Sequence, residues 1–254
     1  MRIVVAMKAV PDLVEEIELT PDETDIDREY LKFVLNEWDD QALEEALLVK
    51  DATGAEVVAV GLADDPDIDQ ALYTAIAKGA DGAVMLEGGG ADTHSRAAAF
   101  AEYLAKEPAD LVITGVQAPD DLDGQLAPML AARLGQRHVS VVVGVEAKDG
   151  NVVVRQEFSG GRAHVLELPL PAVIGLQASR ETPRYAPITR IRQAMQAGGV
   201  RGESVSTDVA SSGLSVRRMF RPEQTSHAEM LEGDVDDIAD KILELLRERG
   251  MVKG

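Results

Sequence analysis

The chain of 254 residues contains no cysteine, so a disulfide framework, thiol chemistry and a thiolate metal site are all excluded. Histidine is scarce. His94, His138, His164 and His227 are scattered, and none falls into the HxxxH or HExxH spacing of a catalytic zinc helix. Basic residues are outnumbered, 25 Lys and Arg against 45 Asp and Glu. The resulting formal charge of −20 argues against a nucleic-acid partner, which needs clustered cations to displace counterions. Such a field suits a well-hydrated surface and can also steer a basic partner. No apolar run approaches membrane-spanning length, and no signal-like segment precedes the first strand at Arg2, so the expectation is a cytoplasmic protein without a membrane span. Spacing assembles no Ser/His/Asp set, paired-carboxylate pocket or metal cluster, so neither a catalytic side chain nor a metal site is expected.

What is present is an alternation of short buried runs with helical periods. RIVVAM, from Arg2 to Met7, has the continuous apolar character of a strand covered on both faces, and Pro11 breaks it. After an acidic excursion, the period resumes with Asp39 or Asp40 as helix cap, Ala42, Leu43, Ala46 and Leu47 as buried stripe, and Gly54 as stop. EVVAVGLA is a second strand. Its helix is expected to start at Asp65 with Pro66 in the first turn, to carry Leu72 and Ile76 inward, and to end at Gly79. GAVML is a third strand, followed by Gly88-Gly89-Gly90, Asp92 and a helix of small residues, SRAAAFAEYLAK. Strands alternating with helices of this length imply right-handed crossovers and a parallel sheet with helices on both faces.

The most informative stretch runs from Asp110 to Gly135. It reads as a fourth buried strand, Leu111 to Thr114, then a polar turn, then a helix with Leu126, Met129, Leu130 and Leu134 at three-to-four spacing. Such a turn presents backbone N–H groups and the positive end of a helix dipole at the carboxyl edge of a sheet, the outline of a phosphate site. Any strand-to-helix turn shares that outline, so the motif alone leaves a structural role equally open. Asp123 is expected to cap this helix.

From His138 the period changes to β-branched runs split by Asp149-Gly150 and Gly160-Gly161, which predicts an antiparallel β extension reaching to AVIGL. SRETPRYAPITRIRQAMQAGG suits an exposed loop and a short basic helix. From Gly198 to Val235 the chain is polar, with Leu214, Val216, Met219 and Phe220 as its few apolar anchors, and it reads as an arm. The arm ends in an amphipathic helix with Ile238, Ile242, Leu243 and Leu246 as stripe.

Six segments, in order VVAMKAVPD, LNEWDDQALEEAL, AIAKGAD, TGVQAPDDLDGQLAPMLAARLG, VVVRQEFSGGRAHVLELPLPAVIGL and ETPRY, resemble the β subunit of electron transfer flavoprotein, a heterodimeric carrier. The resemblance covers residues 1 to about 195. It implies an α/β fold with an adenine-nucleotide-hydrolase-like parallel sheet, a nucleotide-binding domain over 1–195, and an arm over 196–254 that packs on a partner α subunit. It also implies that the α subunit carries a redox-active FAD, while this chain holds either AMP or, as in bifurcating members that split an electron pair from a reduced nicotinamide, a second FAD. Dehydrogenases, and a quinone oxidoreductase or ferredoxin, are the implied exchange partners. The implied nucleotide contacts are Ala6 and Lys8, then Asn36 and Asp39, then Leu62, and the turn Gln117, Asp120, Asp123, Gly124, Gln125, Leu126 and Ala127.

Leu126 stands where AMP-binding members tend to have a threonine for the phosphate, and Gly124-Gln125-Leu126-Ala127-Pro128 is closer to the form of FAD-binding members. The resemblance therefore favours FAD over AMP. Asp121 and Asp123 depart from the pattern, since carboxylates beside a pyrophosphate repel it unless they point outward, cap the helix or meet a cation. Trp38 is read as a core residue. The ETPRY loop resembles the family's partner-docking loop, with Ile188 as its apolar tip and Arg184, Tyr185 and Arg190 around it; a buried helix face formed by Ile188 and Ile191 is the bland counterpart. Electron transfer is thus the leading expectation. The alternatives are a stress-protein-like module that binds ATP or AMP without an α partner, and a scaffold whose site has decayed.

Overall fold

The computed structural model describes residues 1–90, 92–121, 123–206, 215–222 and 230–252. In chain order the elements are β1 (Arg2–Ala6), β2 (Ala9–Pro11), β3 (Phe33–Leu35), α1 (Glu37–Thr53), β4 (Glu56–Leu62), α2 (Ile68–Lys78), β5 (Gly82–Glu87), α3 (Thr93–Lys106), β6 (Leu111–Gly115), α4 (Leu126–Leu134), β7 (Arg137–Lys148), β8 (Asn151–Phe158), β9 (Arg162–Pro169), β10 (Ala172–Leu176), α5 (Ile188–Ala197), β11 (Val200–Ser204) and α6 (Val235–Glu248). They divide into two compact units, Met1–Arg217 and Arg218–Gly254.

The first unit is built on a nine-stranded sheet in the order β11-β5-β4-β1-β6-β10-β7-β8-β9. Strands from β11 to the first half of β7 pair in parallel, and β8 and β9 continue the sheet antiparallel. This is the expected α/β sheet with an antiparallel extension. Successive side chains alternate across a strand, so Ile3 and Val5 enter the core shared with Leu43, Leu47 and Leu72 of α1 and α2. Val4 and Ala6 enter the opposite core with Phe100, Tyr103 and Leu130 of α3 and α4. Burial on both faces explains why the strands read as unbroken apolar runs.

Several local readings hold. Asp92 caps α3 by accepting the Ser95 N–H at 2.8 Å, Gly54 and Gly135 end α1 and α4 in the left-handed conformation, and the turns at Asp149-Gly150 and Gly160-Gly161 join antiparallel strands. Three expected caps do not. α1 begins after Asn36, while Asp39 is buried and holds backbone amides from two other segments. Asp67, not Asp65, precedes α2, because the Asp65 carboxylate is taken by Arg96 of α3. Gln125, not Asp123, precedes α4, and Asp123 is exposed. In each case a carboxylate near a helix start found a long-range donor or solvent, which local spacing does not reveal.

Two strands also fall elsewhere than expected. AVIGL, read as the end of the antiparallel extension, is β10, and it lies between β6 and β7 parallel to both. Residues 200–204, read as the start of a polar arm, form the edge strand β11 beside β5. A half-exposed edge strand lacks the apolar run by which a central one is recognised. Trp38 is half-buried against the end of β6.

In the second unit, α6 starts at Asp234, whose carboxylate accepts the N–H groups of Asp236 and Asp237 at 3.0 Å. Ile238 and Leu246 are half-buried, and Ile242 and Leu243 are exposed. Val216 and Phe220 are exposed, and Leu214 lies outside the described residues. No helix among the described residues is long and apolar enough to cross a membrane.

Candidate functional site

The strand order reverses at β1, with β4 and β5 on one side and β6 on the other. The chains leaving the carboxyl ends of β1 and β6 therefore diverge, and the crevice between them is where an open α/β sheet offers a ligand site. A cleft lies there. Of the residues singled out in the sequence, Ala6, Lys8, Asn36, Asp39, Gln117, Gly124 and Leu126 line it. Leu62 is fully buried beneath Gly89, Ala127 is packed into the core under α4, and Asp120, Asp123 and Gln125 are exposed beyond the cleft wall.

Asp39 staples the two diverging chains. Its carboxylate accepts the N–H of Lys8 after β1 and of Gly115 at the end of β6, both at 2.9 Å. Burial pushes this carboxyl up to about 7, against the hydrogen bonds, including that from Asn36, that favour its charged form. Gly115 is required here, because a Cβ would stand 2.8 Å from Trp38 Cβ and 2.9 Å from its carbonyl carbon. Asn36 ties the same corner together: its N–H donates to Lys8 O and its Nδ2 to Gln117 O, each at 2.9 Å. Its Oδ1 has no partner among the described residues although the residue is only 1% exposed. A buried acceptor left unmatched is costly unless a ligand completes it.

The far wall is the turn into α4. Gly124 adopts φ +59°, and a Cβ on it would stand 2.9 Å from Val116 O, so both backbone and space demand glycine. No side chain caps α4 among the described residues, which leaves its first-turn amides to a ligand or water. Lys8, on the cleft wall, pairs through Nζ with exposed Asp120 Oδ1 at 2.7 Å. The cleft is partly open to solvent, and the space within it is about 20 Å³, room for roughly one water.

Sequence spacing missed Met7, Arg96, Phe100, Gly115, Val116 and Ala118, which also line the cleft, as does Asp121, singled out in the sequence as a carboxylate beside the phosphate. Arg96 is the notable one. It is 3% exposed and forms a two-pronged pair with Asp65, NH1 to Oδ1 at 2.7 Å and NH2 to Oδ2 at 2.5 Å. Burial works to lower the guanidinium, but the hydrogen bond and charge of Asp65, with Asp120 and Asp39 farther off, hold it above its ordinary value. The one available signal was a lone arginine on the buried side of an alanine-rich helix. Burial also pushes the Asp121 carboxyl up, with Lys8 and the Ala118 N–H opposing.

The docking-loop residues separate. Tyr185 is 80% and Ile188 61% exposed, and Arg190 is exposed beside them. Arg184 instead turns inward, with its N–H and guanidinium on Glu44 at 2.8–3.0 Å and NH2 on Asp51 at 3.0 Å. The next glutamate of α1, Glu45, is fully buried and accepts the N–H of Val145 at 2.6 Å and the N–H and Nε of Arg180 at 2.9 and 2.7 Å. Gln41 takes the N–H and hydroxyl of Ser179. The segment leading to the exposed tip is thus clamped along one helix.

Residues 24–207 match the family profile described as Electron transfer flavoprotein domain. The chain is 33% identical over 261 residues to the electron transfer flavoprotein subunit beta of Methylophilus methylotrophus, covering 98% of each chain. It is 31% identical over 258 residues to the same subunit of Clostridium acetobutylicum, again covering 98% of each. It is also 30% identical over 264 residues to the caffeyl-CoA reductase-Etf complex subunit CarD of Acetobacterium woodii, covering 99% of this chain and 100% of the relative. With a cleft at the reversal of its sheet and relatives matching from end to end, the chain belongs to the electron transfer flavoproteins, as a β subunit with a role in electron transfer.

Proposed function

We propose that this chain holds an adenine nucleotide in the β1–β6 cleft and pairs with an α subunit that carries a redox-active FAD, exchanging electrons between dehydrogenases and an acceptor such as a quinone oxidoreductase or ferredoxin. The observation that carries the reading is the unpartnered, buried Asn36 Oδ1 in a cleft whose opposite wall is an uncapped helix start behind an obligatory glycine. A nucleoside brings donors for the first, and a phosphate brings acceptors for the second. Ala6 and Asp39 would wall the adenosine, and Gly124, Gln125, Leu126 and Ala127 would offer backbone amides to phosphate.

FAD is favoured over AMP because Leu126 supplies no hydroxyl for a terminal phosphate dianion, whereas a bridging pyrophosphate needs fewer donors. A flavin bound here would supply one- and two-electron chemistry; the protein's part is to bind, orient and exclude water. Tyr185, Ile188 and Arg190, exposed and close in sequence, offer two apolar side chains and a cation suited to docking a redox partner, while Arg184 before them is held on Glu44. The arm, expected to start at residue 196 but beginning only after β11 because residues 200–204 join the central sheet, is assigned with α6 to packing on the α subunit, and the site of action is the cytoplasm.

Co-expression with the α subunit, followed by extraction and chromatography of bound nucleotides, tests this. Two FAD per heterodimer supports FAD in this chain, one FAD with one AMP supports AMP, and one FAD alone refutes a β-site nucleotide. Gly124→Glu should abolish the β-site nucleotide and spare the α-chain FAD; retention at wild-type stoichiometry would place the phosphate elsewhere.

A further inference from the structure

We propose that Arg96 is the cationic residue that meets the phosphate of the nucleotide in the cleft, and that Asp65 is its positioning residue. This rests on the nucleotide reading above and adds to it a contact that lies outside the strand-end turns from which that reading was built.

Three observations lead to it. Arg96 lines the cleft while being almost wholly buried, so it belongs to the wall and is not a surface arm. The wall it shares includes Gly124 and Leu126, the turn assigned to phosphate, and the fields of Asp120 and Asp39 reach it. Its geometry is also set before any ligand arrives. The Asp92 cap fixes the first turn of α3, with the Arg96 N–H itself bonded to Asp92 O at 3.0 Å, and the Asp65 fork fixes the guanidinium plane.

Charge balance gives the cleft a need that Arg96 meets. Asp39 and Asp121 line it, Asp120 stands against Lys8 and Asp65 against Arg96, and Lys8 and Arg96 are the cations of the lining among the described residues. Lys8 is committed to Asp120. A phosphate entering this field is repelled unless a cation faces it, and a guanidinium can do so while still bound to a carboxylate. Asp65 uses two of five N–H donors, and the remaining three lie in the same plane. Asp65 keeps the arginine from being a buried unpaired charge when the cleft is empty.

The test is equilibrium dialysis of AMP and adenosine into the heterodimer freed of its exchangeable nucleotide. Wild type should bind AMP more tightly than adenosine. In Arg96→Met/Asp65→Asn, which removes the pair together, AMP affinity should fall by roughly ten- to hundredfold, the range for hydrogen bonds to a charged group, with adenosine within about threefold of wild type. If AMP and adenosine weaken together, or neither changes, Arg96 is a structural residue and the inference fails while the nucleotide reading stands. If wild type binds neither probe, both fail. Should the double variant not fold, Arg96→Lys carries the test. It keeps a cation opposite Asp65 but not the fork, and the AMP to adenosine preference must drop by about threefold or more; an unchanged preference overturns the proposal.

Discussion

Replacing Asp39 by alanine should destabilise the protein more at low pH than at high pH, which is the reverse of what an ordinary stabilising carboxylate does. Two effects oppose each other. The substitution leaves the N–H groups of Lys8 and Gly115 without their acceptor, at about 1–3 kcal/mol each regardless of pH. It also removes a carboxyl that burial pushes from 3.8 to about 7. With its folded value raised, the native state binds the proton more tightly than the unfolded chain does, so wild-type stability falls as pH rises through that window. Between about pH 5 and pH 8, linkage between the two values gives a loss of roughly 2.5 kcal/mol from this group. The cost of Asp39→Ala should therefore shrink by about that amount over the same range. Urea unfolding followed by the single tryptophan, Trp38, which sits against Gly115, reads it directly. A cost that stays constant within about 0.5 kcal/mol from pH 5 to pH 8 would show that the amide bonds outweigh burial and that Asp39 is ionised throughout.

Two further outcomes follow from the same corner and its neighbour. Glu45→Ala strands the buried Val145 N–H and takes away one partner of the partly exposed Arg180, so thermal unfolding should show a loss of about 1–3 kcal/mol, and trypsin should cut faster after Arg180; a loss under about 0.5 kcal/mol contradicts the clamp. Gly115→Ala forces a Cβ into Trp38 and should cost about 1–3 kcal/mol by overpacking, with altered Trp38 fluorescence; an unperturbed spectrum and stability would mean the corner has slack.

The parallel part of the sheet was legible because each central strand is buried on both faces and each crossover helix carries one apolar stripe. RIVVA, EVVAVGL and LVITG needed no partner to be recognised. β11 was not legible, since VRGES has the composition of a loop and becomes a strand only because β5 offers a free edge. β10 was recognised as a strand but misplaced, because a run of apolar residues does not say which neighbours it will have. Much of the cleft was legible from the strand-end turns. Arg96 and Phe100 were not, as they come from a helix that approaches the cleft from the side.

By itself, then, the sequence determined the alternation of strands and helices, the glycine stops, the Asp92 cap and the segments that identify the family, all of which depend on neighbours within a few residues. The tertiary structure alone decided the fate of the carboxylates. Asp39 could cap its own helix or staple two strands, Asp65 could begin α2 or hold Arg96, and Glu44 and Glu45 could face solvent or clamp the loop before Tyr185. Burial makes the choice, because a charge taken out of water must find its donor wherever the fold provides one, and that donor lies 31 to 140 residues away.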